Sequence, residues 1–340
     1  MTAFVLAAVL KVFVVINLLL LVVAYMTYLE RKVIGHIQVR LGPMRVGFHG
    51  LLQPIADGIK LLFKEDVIPR DANRWVFMMA PVMTLIPALA SFAIIPFGDS
   101  ISVMGRSIDL VIADVNVGIL YFFALSSLGV LGLVMAGWSS NSKYSLLGGL
   151  RSSAQMISYE LTLGLSVVGI IMMTGSLSLV DIVNAQAKVP FIVLQPLGFL
   201  LFLVAGIAET NRLPFDLPEA ETELVAGYHT EYSSMKFAMF FMSEYAAMIT
   251  ISALASTLFL GGWQGPLLPA QLAAANVVNQ LLPVFWFLIK TFFFLFLFIW
   301  LRATFPRLRY DQLMGYGWKV LLPLALANII ITAGVLAIWG

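Results

Sequence analysis

The 340 residues are 61% apolar and only 11% charged, against roughly 45–50% and about 25% in soluble domains. Twenty basic and 18 acidic side chains cannot cover a water-soluble surface over so much apolar mass, so a soluble multidomain enzyme is excluded and a bilayer is the expected solvent. A net charge of +2, three His and no Cys argue against a nucleic-acid partner, disulfides, thiolate catalysis, Cys-held iron–sulfur clusters and a metal or haem site built by this chain.

Crossing the hydrocarbon takes about 20 apolar residues in a helix. Eight stretches meet that demand, near 3–28, 76–97, 115–137, 155–175, 191–208, 237–260, 280–300 and 319–339. The first has no basic start and carries Lys11 inside its run, so it reads as a retained helix and not a cleaved leader. The first, third, fifth and seventh connections hold 16 Lys and Arg, the even ones only Arg106 and Lys188; Lys11 and Lys290 lie within spans. That bias predicts cytoplasmic odd loops and periplasmic termini in a bacterial inner membrane. Without a detectable repeat, linker or low-complexity stretch, residues 1–340 read as one all-α, polytopic membrane domain.

The first inner loop, Glu30 to Arg74, contains Leu51–Lys64, which has helical periodicity. Leu51, Leu52, Ile55, Ile59, Leu62 and Phe63 fall on one side, with Gln53, Asp57, Lys60 and Lys64 on the other. It is too short to span, so an amphipathic helix at the interface is expected. Two readings stay open: a surface anchor whose polar face meets water, or a polar face lining a cavity that another protein covers. Just before it come Glu30-Arg31-Lys32 and Gln38-Val39-Arg40-Leu41-Gly42-Pro43. Arg31 and Lys32 either snorkel to lipid phosphates or hold the polar head of an amphiphilic ligand; spacing does not separate the two.

Further along, Glu160 sits in the fourth span and Glu244 in the sixth. An ionised group at the bilayer centre costs roughly 2.5–3.5 kcal/mol on insertion scales, so each must face protein or water. A carboxyl that exchanges its proton near pH 7 is what a proton relay needs; the structural alternative is permanent neutralisation by a partner such as Lys290. The relay is the favoured reading for intramembrane carboxylates. Between these spans, the fifth loop from Glu209 to Lys236 holds six acids (Glu209, Asp216, Glu219, Glu221, Glu223, Glu231) against Arg212 and Lys236. Pro214 and Pro218 break any helix there, while Phe215, Leu217, Leu224, Val225 and Tyr232 argue for a packed wall of carboxylates over a solvated acidic tail. In the seventh loop, Arg302, Arg307 and Arg309 suit lipid contact, docking of an acidic partner, or steering of a headgroup. No Walker loop, dinucleotide fingerprint or Ser/His/Asp arrangement is visible.

Six runs carry a resemblance: Glu30-Arg31-Lys32, Arg40-Leu41-Gly42-Pro43, Gly50 to Gly58 (GLLQPIADG), Ile157-Ser158-Tyr159-Glu160, Ala208 to Leu217 (AETNRLPFDL) and Arg302 to Arg307 (RATFPR). Together they resemble, in order and over nearly the whole chain, the H-subunit (mitochondrial subunit 1) family of complex I, the proton-translocating NADH:quinone oxidoreductase. The resemblance implies a membrane subunit without a complete active site of its own. It would anchor the peripheral redox-arm subunits, contact lipids and neighbouring small and antiporter-like membrane subunits, and take ubiquinone or menaquinone as substrate, with flavin and iron–sulfur clusters left to partners. It further implies a quinone chamber lined by Arg31, Gln38, Arg40, Gln53, Asp57, Lys60 and Arg302. A proton route is implied through Glu160, Glu209, Glu219, Glu221, Glu223, Glu231 and Glu244. Competing readings are the membrane subunit of a related energy-converting hydrogenase, an autonomous ion carrier, and a passive scaffold.

Overall fold

A computed structural model describes residues 2–103, 106–216, 226–266 and 275–339. Its helices, in chain order, are α1 (Thr2–Ile37), α2 (Gln53–Phe63), α3 (Arg74–Ala90), α4 (Gly118–Ser139), α5 (Lys143–Thr174), α6 (Leu179–Ala185), α7 (Phe191–Leu194), α8 (Pro196–Glu209), α9 (Ser234–Phe259), α10 (Ala275–Thr304), α11 (Tyr310–Tyr316) and α12 (Leu322–Trp339). A π-helical turn, Gly317–Leu321, joins the last two. The all-helical expectation is met but for one antiparallel hairpin, β1 (Ser100–Val103) with β2 (Arg106–Asp109), registered Ser100 to Asp109 and Ile101 to Ile108.

Seven segments among the described residues are long and apolar enough to cross a membrane: Ala8–Ile37, Arg74–Ile94, Gly118–Ser139, Lys143–Thr174, Ser234–Phe259, Val278–Thr304 and Tyr310–Ile338. The predicted span at 191–208 is instead a broken pair, α7 and the 14-residue α8, interrupted at Gln195 (φ −130°, ψ 55°). The cause is local: the ring of Pro196 disfavours helical geometry in the residue before it, while Pro196 itself suits the first helical turn.

Other boundaries move for related reasons. Helix α5 begins at Lys143, about three turns before the predicted 155, because Gly148, Gly149, Ser152 and Ser153 are buried against α4 and the turn Gly227–His229. At Gly148 a Cβ would come within 2.6 Å of the Gly227 Cα. Small residues of this kind let backbones pack closely where lipid gives helices no hydrophobic reason to associate. Helix α9 is the most deeply buried span; its Ser252, Ala253, Ala255, Ser256 and Thr257 face other helices all round.

The two ends of the bundle differ. One carries the long connections around α2 and residues 210–216 and 226–233, and is called here the long-loop end. The other carries the hairpin, where Lys11 donates to the Asp109 carbonyl at 2.9 Å. The charge inside the first span is thereby held at a backbone oxygen.

Candidate functional site

The site is built at the long-loop end from the termini of helices. The Glu30 side chain, near the end of α1, is buried (4% exposed), while the next residue, Arg31, is exposed. A helix turns about 100° per residue, so one face enters the bundle and its neighbour faces out. Glu30 accepts from three groups: Arg302 of α10, Arg212 Nη1 at 3.0 and 3.3 Å, and the Tyr245 hydroxyl of α9 at 2.6 Å. On its other side Arg212 Nε meets Glu244 Oε1 at 2.8 Å, and its guanidinium stacks 4.3 Å from the Tyr245 ring centroid. The result is an alternating chain, Arg302–Glu30–Arg212–Glu244, crossing four segments distant in sequence. Burial works against charge on Arg212, but the Glu244 and Glu30 carboxylates outweigh it and hold the guanidinium firmly protonated.

Beside this chain the adjacent hydroxyls of α4 each hold one carboxylate. Ser126 donates to Glu209, and Ser127 donates to Glu160 at 2.5 Å. Glu209 is buried, its second oxygen without a hydrogen-bond partner; Glu160 is half-buried. A cavity of about 100 Å³ lies between α3, α4, α5 and α9, and both Glu209 and Glu244 line it, with Ser126, Tyr228, Ser243 and Thr250. It is roomy and polar enough to hold water.

A second opening, a cleft of about 330 Å³, is lined by Arg31, Asp57, Lys60, Tyr232, Ser233 and Phe237 among others. Arg31 Nη1 donates to Asp57 Oδ2 at 2.6 Å and Gln53 Nε2 to Asp57 Oδ1 at 2.9 Å. So α2, predicted from periodicity, is a helix whose polar residues border a cleft.

Of the seven residues expected at a chamber wall, Arg31, Asp57 and Lys60 line this cleft and Gln53 braces it. Arg302 turns instead to Glu30, and Gln38 and Arg40 are exposed beyond the end of α1. Of the seven expected carboxylates, Glu160, Glu209 and Glu244 stand as described and Glu231 is half-buried. Glu219, Glu221 and Glu223 lie outside the described residues. Glu244 is partnered by Arg212 and not by Lys290, whose ammonium donates to the carbonyls of Leu260, Gly262 and Gln264 at 2.7, 2.9 and 2.6 Å.

Sequence reasoning missed the central roles of Glu30 and Arg212. The available signal was that Arg212 is one of only two cations in an acidic, apolar-rich loop. Reasoning also missed the pair Arg307 Nη2–Asp216 Oδ2 at 3.2 Å and the buried His229, packed against the rings of Tyr228, Phe237 and Phe241. Burial pulls the His229 pKa down to about 4, with Asp216 opposing; burial pushes the Tyr232 hydroxyl up to about 12. Among the described residues no group of three or more His, Asp or Glu is placed to hold a metal ion.

Fold and site together define a multi-pass helical membrane protein that keeps charge and a polar cavity inside one end of its bundle. The chain belongs to the NADH dehydrogenase family, whose model matches residues 10–333. It is 58% identical to the second NADH-quinone oxidoreductase H subunit of Geobacter metallireducens, over 97% of this chain and 95% of that protein. It is 57% identical to the first H subunit of Geobacter sulfurreducens, over 96% and 94%, and 55% identical to the second H subunit of Rhizobium meliloti, over 95% of each. The family resemblance drawn from the six sequence runs therefore stands.

Proposed function

We propose that the chain is the membrane subunit of a proton-translocating NADH-quinone oxidoreductase that receives the quinone headgroup and couples its reduction to proton movement. It acts as one subunit, within a bacterial inner membrane, alongside the peripheral redox-arm subunits and antiporter-like membrane subunits, and takes ubiquinone or menaquinone. In this reading residues 1–340 form one membrane domain of eight crossings, the broken α7–α8 pair being the eighth. Both termini are periplasmic, and the long-loop end is cytoplasmic. Helix α2 lies at the membrane interface with its polar face under the peripheral subunits.

The observation that carries the coupling is the alternating ion chain. It puts a residue expected at the quinone chamber, Arg302, three carboxylate–guanidinium contacts away from a carboxylate expected in the proton route, Glu244. In the cleft, Arg31, Lys60 and Lys64 offer donors to a quinone carbonyl, while Leu61 and Phe237 offer apolar contact to its ring. Addition of negative charge at the headgroup favours protons on, or displacement of cations towards, that end. The ion chain transmits the change as a shift in which partner Arg212 prefers, and the carboxylates Glu209, Glu160, Glu231 and those at 219, 221 and 223 carry it onward. The energy a ligand passes in this way is bounded by its differential affinity for the two arrangements.

The assembled oxidoreductase in proteoliposomes provides the test. Glu160→Gln and Glu244→Gln should lower protons moved per electron pair while assembly survives; normal pumping in both removes them from the route. Arg31→Ala or Asp57→Ala should raise the quinone KM about ten-fold or more, the loss of one or two charge-assisted contacts. Unchanged quinone kinetics would dismiss the cleft as the headgroup site.

A further inference from the structure

Helix α2 buries none of its own residues, so packing does not decide where it lies. Two attachments do. The first is the Arg31 and Gln53 grip on Asp57 already described. The second lies at its C-terminal end, where the last carbonyls of any helix lack intrahelical partners. Here the Ser234 hydroxyl donates to the Leu61 carbonyl at 2.9 Å. The Ser233 hydroxyl donates to the Glu65 carbonyl at 3.3 Å and accepts from the Val67 N–H at 3.0 Å. Lys236 Nζ pairs with Asp66 Oδ2 at 2.8 Å, its ammonium 5.2 Å from the Phe77 ring centroid.

All three partners belong to the start of α9, and each is placed there against the interest of its own helix. Ser233 occupies the N-cap position but makes no side-chain cap bond, although serine there ordinarily serves a first-turn N–H. Ser234 takes a positive φ of 55°, a region a non-glycine residue enters at a cost. Lys236 puts a cation in the first turn, where the helix dipole disfavours it. The hydrogen bonds and the charge are committed across the gap, to the loop that follows α2. Eight residues further along α9, about 12 Å at 1.5 Å per residue, stands Glu244.

We infer that Ser233, Ser234 and the Lys236–Asp66 pair form a clasp that makes the headgroup cleft and the inner end of α9 one mechanical unit, so that a ligand displacing α2 also displaces the Arg212–Glu244 contact. These are positioning residues, and the inference rests on the cleft being the quinone site. The Asp66–Lys236 pair is the part to test, because neither residue lines the cleft, Asp66 is half-exposed, and Asp66→Asn keeps an oxygen for the largely buried Lys236 ammonium while removing the charge.

In proteoliposomes of the assembled enzyme, Asp66→Asn should leave uncoupler-released quinone reduction and assembly as they were. Protons moved per electron pair should fall about two-fold or more, the scale of a small site-to-site coupling. The exchange Asp66→Lys with Lys236→Asp should restore the ratio. An unchanged ratio in Asp66→Asn overturns the clasp, and so does a parallel loss of electron transfer and pumping that the exchange does not rescue. Failure of the underlying reading has its own signature: Asp57→Ala leaves the quinone KM unchanged whatever Asp66→Asn does to pumping.

Discussion

At the long-loop end Arg212 lies between the carboxylates of Glu30 and Glu244, whereas at the hairpin end Lys290 lies among three backbone carbonyls. Arg212 is buried and Lys290 half-buried, and both must be compensated where they sit. Arg212 draws compensation from groups that can gain a proton, so its surroundings have more than one charge state. Lys290 draws it from amide oxygens that cannot. The turn Gly261–Gly262, at φ 71° and 50°, aims those oxygens inward, and Gln186 fixes it by accepting from the Gly261 N–H at 2.9 Å while donating to Thr257 O at 2.8 Å. One end of α9 is thus held among carboxylates that can exchange protons, the other among fixed backbone oxygens. That asymmetry suits a helix whose long-loop end moves about a fixed hairpin end.

The heaviest blow to this contrast falls at Arg212. Arg212→Met leaves two buried carboxylates short of their cation, and removing one partner of a buried ion pair costs about 3–5 kcal/mol. Thermal unfolding of the solubilised enzyme should show it directly, with poor assembly of the variant; Arg212→Lys should recover part, since it restores charge but not the two-sided fork. A harmless Arg212→Met would mean that the Glu30 and Glu244 carboxylates are already protonated at rest.

Lys290→Met comes next. It removes three charge-assisted hydrogen bonds to carbonyls, which together are expected to cost about 3 kcal/mol, read in the same unfolding experiment. Protons moved per electron pair should not change, because Lys290 sits at the opposite end of α9 from the Arg212–Glu244 contact. A lowered ratio would break the distinction between the two ends.

His229 sharpens the comparison by pH. Its folded pKa of about 4 lies below the ordinary 6.5, so between those values the unfolded chain binds more protons than the folded one. Stability is therefore full above about pH 6.5 and declines as pH falls towards 4, by about 2 kcal/mol at pH 5. Asp216, itself paired with Arg307, faces His229 and limits the depression. His229→Phe should flatten the acid limb of a stability-against-pH curve, and an unaltered limb would mean the imidazole reaches water.

How much of this was legible in the sequence follows from which forces are local. Seven of the span positions were, because about 20 apolar residues in a row have few other uses, and the helix at α2 was, from its period. The break at Gln195 was legible in principle from Pro196 but is masked by the surrounding apolar run. Intramembrane Glu160 and Glu244 stand out by type alone; their partners do not. Nothing in the spacing pairs Glu30 with residues 182 and 272 positions away, and the guess of Lys290 for Glu244 failed because two charges within neighbouring spans can sit at opposite ends. The clasp on α2 was hidden for the same reason: Ser233 and Lys236 read locally as an ordinary helix start.

The finest test concerns the two serines of α4. Ser126 serves Glu209, which is buried, and Ser127 serves Glu160, which is half-buried. Ser126→Ala leaves a carboxylate that already has one oxygen without a partner short of its other hydrogen bond, an expected loss of about 1 kcal/mol. Ser127→Ala should cost roughly half as much, since water reaches Glu160 and replaces the hydroxyl. Measured as paired shifts in unfolding of the assembled enzyme, the order Ser126 above Ser127 separates the two carboxylates by their access to water. The reverse order would make Glu160, and not Glu209, the drier of the two carboxylates.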